Sequence, residues 1–169
     1  MPEKNKLART LSAFAKLPSP LRRRVVSMFM GRMVPYVGTS HVQIDEMTAE
    51  RVVASIPNRR DVRNHIGGIH AVAMALLAET ATGFVVGMNV PDSHVPVIKT
   101  LRVDFKRRLK GGLRVEAWLT EEQRTRILTE DKGDVAVQLR ATDDSGQAPI
   151  ECEMIWAWVP KKRSEKSPA

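Results

Sequence analysis

One short stretch of the chain holds the polar residues best suited to chemistry. Asn64, His70 and Glu79 fall within residues 64 to 83, where a glycine-containing polar segment leads into a long run of Ala, Val, Met and Leu. Ala, Leu and Met have high intrinsic helix propensity, so the run predicts a helix that ends at Gly83. Because the run is apolar on nearly every face, we expect this helix to be buried.

Glu79 is the one ionisable residue inside the apolar run. A buried carboxylate is costly unless it is paired or neutral, so its presence there requires a reason. A carboxylate in apolar surroundings can act as a general base toward water or as a nucleophile. The structural alternatives are that Glu79 only accepts hydrogen bonds from a neighbouring loop, that His70 only makes structural hydrogen bonds, and that Asn64 is only the cap of the helix.

The spacing of His70 and Glu79 has a consequence for assembly. The two residues are nine positions apart, so on a helix they point from opposite faces and lie about 13 Å apart along the axis. One copy of the helix cannot bring them into one site. If both act in one site, a second copy of the chain is required, and we therefore predict a dimer.

The pattern along the chain predicts a helical extension, residues 1 to 36, before one domain at residues 37 to 160. Two amphipathic helices are expected, over residues 5 to 16 and from Leu21 to just before Pro35. The second helix combines arginines with apolar side chains, which suits contact with a membrane surface or an acyl chain. Packing against the domain as a lid is the favoured interpretation, because most amphipathic helices cover a core.

After the extension, the periodicity changes to the alternation typical of strands. A short helix with a capping box is predicted over residues 121 to 130. Strands are predicted at residues 42–47, 52–56, 84–90, 97–109, 113–119, 134–142 and 150–158. A wholly apolar helix can be buried here only if the sheet wraps round it, and the free edge of that sheet can pair with a second copy. The polar tail, residues 161 to 169, is expected to be disordered.

The composition describes a globular protein with one core: 169 residues, 43% apolar and 27% charged. The single cysteine, Cys152, excludes an internal disulfide, fits a reducing, cytoplasmic location, and lies in a strand pattern that favours a core thiol over a nucleophile. No segment approaches the ~20 apolar residues of a membrane span. The net charge of +8 favours anionic partners. Nucleic acid is disfavoured, because aromatic residues are 5% and no nucleic-acid-binding motif is present.

The order of the elements, with Asn64, His70 and Glu79 at their spacing, resembles the hotdog-fold acyl-CoA thioesterases, in particular the phenylacetate-pathway type. The resemblance covers residues 37 to 160 and implies an α+β hotdog fold, an antiparallel sheet wrapped round one long helix. The family pattern is an Asn, His-Gly-Gly six residues later, and an acidic residue nine after the His. This chain keeps the three polar positions.

The chain departs from the family pattern at the two glycines. Ala71 and Val72 replace them, while Gly67 and Gly68 come before the His. A family glycine at that point brings its backbone N–H to the thioester oxygen, and Ala71 retains an N–H that can do so. The first N–H groups of a helix are unpaired and lie at its positive end, which suits an oxyanion.

The resemblance also implies roles for individual residues. Glu79 of one subunit would be the base or nucleophile, opposite the helix N-terminus of the other. Asn64 would orient the water or the carbonyl, and His70 would fix the loop or the substrate. The residues implied to contact substrate are Gly68, Val72, Thr80 and Thr82. No cofactor is implied, and we assign no metal, because the His and Glu spacings are not those of helical metal ligands.

A basic run at residues 106 to 110 ends one predicted strand. Arg107 and Arg108 can hold the phosphates of coenzyme A. The alternative, of equal weight, is a solvated strand end that discourages aggregation.

The resemblance therefore implies hydrolysis of an acyl-CoA by a homodimer or a dimer of dimers, with membrane-surface contact through the N-terminal helices as an open possibility. The main alternative is a non-catalytic acyl-binding protein on the same fold, because the two family glycines are missing. A hydratase or dehydratase is less favoured, because the Asp and His that those enzymes usually carry in one short motif are not found.

Overall fold

In the computed structural model, which describes residues 5 to 161, a group of helices is followed by strands that surround one long helix. The helices are α1 (Lys6–Phe14), α2 (Ser19–Met33), α3 (Pro35–Thr39), α4 (Ala71–Gly87) and α5 (Glu121–Thr129). The strands are β1 (Gln43–Met47), β2 (Arg51–Ile56), β3 (His94–Phe105), β4 (Leu113–Trp118), β5 (Gly133–Ala136), β6 (Gln138–Asp143) and β7 (Ile150–Pro160). No helix within residues 5–161 has the length and hydropathy needed to cross a bilayer.

The strands form two antiparallel sheets, ordered β1-β2-β4-β6 and β3-β7-β5. β5 and β6 are consecutive and separated only at Val137, whose N–H donates to the Met154 carbonyl at 3.0 Å. The predicted strand 134–142 is therefore divided, with one half in each sheet. Helix α4 packs against β2, β4, β3 and β7, and its residues Leu77, Ala78, Ala81 and Val85 are inaccessible to solvent. The predicted sheet around a central helix is confirmed.

Two predictions about the central helix are wrong. The helix does not end at Gly83, and residues 84–90 are not a strand, because α4 continues to Gly87. A Cβ at position 83 would lie 2.7 Å from two atoms of the Trp156 ring, so glycine is required there by close approach and not as a stop. A short apolar run has no periodicity that separates a buried strand from a buried helix turn.

The first helix is fixed to the far end of the central one. Asn5 caps α1, since its side-chain oxygen accepts the Ala8 N–H at 2.8 Å. Its side-chain amide donates to the carbonyls of Gly87 and Val90 at 2.8 and 2.7 Å. These carbonyls lie at and just beyond the C-terminus of α4, where acceptors lack helical partners. One side chain thus caps one helix and binds the end of another.

The second helix packs on the domain, as the favoured interpretation expects. Val26 and Met30 are buried, and the Ser27 hydroxyl accepts the Ile44 N–H of β1 at 2.8 Å. The short helix α3 follows, which the sequence did not predict. The capping box of α5 is confirmed, with both reciprocal hydrogen bonds of Thr120 and Gln123 present. Of the tail predicted to be disordered, only Lys161 lies within the described residues.

Candidate functional site

The loop before α4 is organised by Asn64. Its side-chain oxygen accepts the N–H groups of Ile66 and Gly68, both at 3.1 Å, and its own N–H donates to the Gly68 carbonyl at 2.8 Å. Gly67 between them has φ +79°, a conformation that favours glycine. Asn64 and Gly68, both predicted site residues, therefore shape this loop.

His70, and not Asn64, is the N-cap of α4. Its Nδ1 accepts the Val72 N–H at 3.1 Å, and its own N–H donates to the Val62 carbonyl at 2.8 Å. Asn64 as the helix cap is therefore wrong. Accepting this bond requires Nδ1 without a proton, so the ring's proton lies on the exposed Nε2. The Val72 N–H is consequently occupied.

The Ala71 N–H remains available at the start of the helix. Within residues 5–161 it makes no hydrogen bond. It lies at the positive end of a 17-residue helix, where an anionic oxygen is stabilised. The apolar side chains of Ile66 and Val72 beside it are more than half exposed. The helix N-terminus is thus uncovered in a single chain.

Glu79 is half-buried in the middle of α4, and no cation among the described residues opposes its carboxylate. Burial raises the pKa of its carboxyl group, and the hydroxyl of Thr80 lowers it only in part. No charged group in the described part of the chain perturbs it. Thr80 itself is 2% exposed, and apart from the Glu79 carboxylate its hydroxyl has no hydrogen-bond partner among the described residues. A carboxylate poised in this way is suited to accept a proton.

Glu79 and Thr80 line one end of a cavity of about 420 Å³. The cavity lies between α4, the sheet that contains β3 and β7, and the N-terminal helices. Most of its lining is apolar, which is typical of small-molecule sites. The carboxylate predicted from the sequence therefore borders a space that can hold a ligand.

Thr82, in contrast, does not line this cavity. Its hydroxyl donates to the Ala78 carbonyl at 2.9 Å and accepts the indole N–H of Trp156 at 3.0 Å. The residue is fully buried. Thr82 was expected to line a substrate cleft, but its role is structural, because it holds β7 against α4.

The two arginines of the basic run have different surroundings. Arg107 forms an ion pair of 2.7 Å with Asp143, whose side chain is completely inaccessible. Burial opposes ionisation of Asp143, but hydrogen bonds from Ser145, the Lys110 N–H and Arg107 outweigh it and hold the pKa of the carboxyl well below its usual range. Arg107 therefore has a structural partner.

Arg108 lies closer to the candidate site. Its guanidinium donates to the Ile66 carbonyl at 3.2 Å, so it is next to the Asn64 loop and the start of α4. It forms no ion pair among residues 5–161. Of the two arginines, Arg108 is the one placed where it can meet an anionic group.

Cys152 is not a candidate nucleophile. Burial, with the nearby Asp104 carboxylate, raises the pKa of its thiol to about 11. The thiolate is the reactive form, and it is scarce at neutral pH when the pKa is that high. Among the described residues, no three His, Cys, Asp or Glu side chains are close enough together to hold a metal ion.

A single chain does not bring the predicted residues together. His70 and Glu79 are separated by about two and a half turns of α4. Strand β3 is one edge of the second sheet, and among the described strands it pairs only with β7. Val97, Leu101 and Phe105 on this strand are large apolar residues exposed to solvent.

The sequence missed the part that the N-terminal helices play in the cavity. Leu7 of α1, Met33 of α2 and Val37 of α3 contribute to its lining. Contact with an acyl chain was one of the interpretations open for the second helix, but no local signal in the sequence links these residues to Glu79.

Comparison with known proteins identifies a family and a fold. Residues 22–159 match the family described as "Domain of unknown function (DUF4442)". No curated protein matches the chain. A solved structure from Pseudomonas aeruginosa, PA5026, described as a protein of unknown function and "Probable Thioesterase", is 25% identical, with a TM-score of 0.71 over 86% of this chain and 97% of that one.

Two further structures share the fold at lower identity. The thioesterase HI1161 from Haemophilus influenzae is 10% identical, with a TM-score of 0.66 over 82% of this chain and 94% of its own. A thioesterase family protein from Silicibacter pomeroyi is 14% identical, with a TM-score of 0.63 over 80% of this chain and 96% of its own. The chain therefore belongs to the DUF4442 family, and its fold is the hotdog fold of the thioesterase superfamily.

Proposed function

We propose that the protein hydrolyses an acyl-CoA thioester as a homodimer, with Glu79 of one subunit acting opposite the N-terminus of α4 in the other. The observation that carries this proposal is the half-buried Glu79 carboxylate, which has a raised pKa, has no cation partner within residues 5–161, and lines an apolar cavity. The likeness to structures named thioesterases supports the reaction class.

The reaction uses few groups. Glu79 takes a proton from water, the water oxygen attacks the thioester carbon, and the Ala71 N–H of the partner subunit donates to the oxyanion. The C–S bond then breaks, and the proton reaches the sulfur to give a free thiol and a carboxylic acid. Direct attack by the carboxylate, followed by hydrolysis of the anhydride, is the variant in which Glu79 is the nucleophile. In either case, of the first two N–H groups of α4 only that of Ala71 can donate to the oxyanion, because the Val72 N–H already donates to the His70 ring.

Two uncovered surfaces support the dimer. One is the open edge of β3, with its exposed apolar side chains, and the other is the start of α4, with Ile66 and Val72 exposed. Unpaired strand edges invite pairing with a second copy, and exposed apolar patches mark interfaces. We place the anionic part of coenzyme A near Arg108, beside the second of these surfaces.

The outer face of α2 supports contact with an anionic membrane surface. Leu21 and Met28 on this helix are exposed. The arginines that lie with them form no ion pair within the described residues: Arg22, Arg24 and Arg32. Anionic lipid headgroups attract clusters of exposed basic side chains, so these arginines would draw α2 to such a surface by charge.

The test is thiol release from a panel of acyl-CoAs by the wild type and by Glu79→Gln. We expect the substitution to lower kcat by about 10²- to 10⁴-fold, the range for loss of a general base. Glu153→Gln, a change at an exposed position on β7, is the matched control and should leave kcat unchanged. In the wild type, kcat/KM should rise with pH along a limb whose midpoint lies above 4.5, the ordinary value for Glu.

A non-catalytic acyl-binding protein is the second candidate. Ala71 and Val72 stand where the thioesterases carry two glycines, and the Val72 N–H is already bonded to His70. This candidate predicts that acyl-CoAs bind while no thiol is released from any of them. Unchanged turnover in Glu79→Gln would instead remove Glu79 from the mechanism.

A further inference from the structure

We propose that the cavity beside Glu79 is the site of a medium-length aliphatic acyl chain, and that the N-terminal helices set its length. This inference rests on the proposed function, because it assigns the part of the substrate that Glu79 does not touch. It adds a substrate class, an unbranched chain of about ten carbons, and it gives the helical extension a role in specificity.

One face of α4 lines the cavity from the middle of the helix to its end. Glu79, Gly83 and Gly87 are spaced four residues apart, so they lie on one face of the helix. All three line the cavity. The missing side chain of Gly83 makes room for the Trp156 ring, which lines the cavity itself, and Gly87 leaves room near the end of the helix. The cavity therefore extends from the Glu79 carboxylate, past the Trp156 ring, toward the C-terminus of α4.

A second observation concerns Thr80, at the polar end of the cavity. The Thr80 hydroxyl is buried, lines the cavity, and has no hydrogen-bond partner in the described structure other than its neighbour Glu79. Buried hydroxyl groups are costly when unpaired. A ligand with one polar end next to Glu79 and Thr80 would satisfy this group.

The rest of the cavity is suited to a chain of methylene groups. Phe84, Val90 and Trp156 contribute apolar surface from the domain. The extension adds Leu7, Val34 and Val37, with the half-exposed Met33 at the rim. The extension is held there by the two hydrogen bonds from Asn5 to the Gly87 and Val90 carbonyls.

The length of the cavity along α4 sets the chain length. Eight residues of helix separate Glu79 from Gly87, about 12 Å along the axis. Carbon–carbon bonds of ~1.5 Å in a zigzag cover that length with about ten carbons. A single aromatic ring is too short to span this distance.

The experiment separates binding from hydrolysis. S-alkyl-CoA thioethers with 4 to 16 carbons lack the carbonyl and cannot be hydrolysed, and their affinities for the full chain can be measured by titration calorimetry. We expect affinity to rise about threefold to fourfold per added methylene, the value for its burial. The rise should stop near ten carbons.

Substitutions at two positions, 87 and 7, test whether the end of the cavity limits the chain length. An added Cβ at position 87 would lie 3.8 Å from the Leu7 Cδ2 atom, an ordinary van der Waals contact, so Gly87→Phe starts without a clash and adds a ring at this end of the cavity. It should move the plateau several carbons shorter, while the matched Gly87→Ala should not. Leu7→Ala should leave the affinities of short chains unchanged and raise those of the longest chains.

The outcomes distinguish this inference from the proposed function. A chain-length profile that is the same in the wild type and in a folded Gly87→Phe variant overturns the inference, even if acyl-CoAs are hydrolysed. An unchanged profile in Leu7→Ala does the same if the phenylalanine variant fails to fold. The predicted plateau and its shift, found together with no thiol release, would uphold the inference and reject hydrolysis.

Discussion

Gly83 lies directly against the indole of Trp156, and a Cβ at position 83 would come within 2.7 Å of two atoms of the ring. The neighbouring residue Thr82 accepts the indole N–H. Two successive positions of the central helix thus hold the same tryptophan, one by removing a side chain and one by supplying a hydroxyl. The packing of β7 on α4 depends on this pair.

The close approach predicts an unusual result for a glycine in a helix. Gly83→Ala should destabilise the fold by about 1–3 kcal/mol, because overpacking displaces the ring, although alanine is ordinarily the better helix former by about 1 kcal/mol. Gly87→Ala is the matched control, since an added Cβ there would meet the Leu7 Cδ2 atom at an ordinary van der Waals distance of 3.8 Å. It should be neutral or stabilising in denaturant unfolding. The same sign for both variants would contradict the packing argument.

Glu79 should reduce the stability of the native state at neutral pH. Its pKa is raised in the folded protein, so the stability it contributes is fully present below its ordinary pKa of 4.5 and is lost as the pH rises through the folded value. Glu79→Gln removes the buried charge and should raise the melting temperature at pH 7–8. The gain should vanish below pH 4. A gain that persists at low pH would mean that the substitution stabilises by some means other than charge.

The open edge of β3 predicts an assembly that one surface charge disrupts. Leu101 is exposed in a single chain, so Leu101→Glu should leave the monomer folded while it weakens pairing between copies. Light scattering coupled to gel filtration should show a dimer or tetramer for the wild type and a smaller species for the variant. Met28→Glu, equally exposed but on α2, should not change the mass. A monomeric wild type would remove the proposed two-subunit site.

Substitutions of the two arginines just after β3 should affect different properties, fold stability for Arg107 and substrate binding for Arg108. Arg107→Ala leaves the inaccessible Asp143 carboxylate without its cation and should destabilise the fold by about 2–4 kcal/mol. Arg108→Ala should have little effect on stability but should raise KM for acyl-CoA. The difference in KM should shrink as salt screens the charge. Equal KM values in the wild type and Arg108→Ala would place coenzyme A elsewhere.

The free arginines of α2 predict binding that depends on lipid charge. The full chain should co-sediment with vesicles that contain phosphatidylserine and remain in solution with pure phosphatidylcholine. Replacement of Arg22, Arg24 and Arg32 by Gln should reduce the bound fraction several-fold, since each basic residue near the surface contributes about 1 kcal/mol. Arg60→Gln, an exposed basic residue outside α2, is the control. Equal binding to both kinds of vesicle would discard the electrostatic contact.

Local signals in the sequence predicted the elements that local interactions determine. The capping box of Thr120 and Gln123, the alternation of β4 and β7 and the start of α4 are all set by residues a few positions apart. The end of α4 was mistaken because the reason for Gly83 lies 73 positions away, at Trp156. A contact of that kind leaves no trace in the nearby sequence.

The candidate site, too, was predictable only where local sequence determines it. The half-buried carboxylate could be expected from one Glu in an apolar run, but the cavity beside it could not. Its lining combines Leu7, Val37, Glu79 and Trp156, which only the tertiary fold brings together. The capping role of His70 was also missed, because Asn is the commoner capping residue and lies in the same segment.

The two hydrogen bonds that Asn5 makes to the end of α4 have a practical consequence. A protein shortened beyond this residue would expose one wall of the cavity to water and leave the Gly87 and Val90 carbonyls without their Asn5 donor. Glu79 would then be hydrated, and its affinity for protons would fall toward that of a free carboxylic acid. Trimming the leading helix should therefore alter the acid strength of a group eight residues before the end of α4, and assays on trimmed protein would describe a different catalyst.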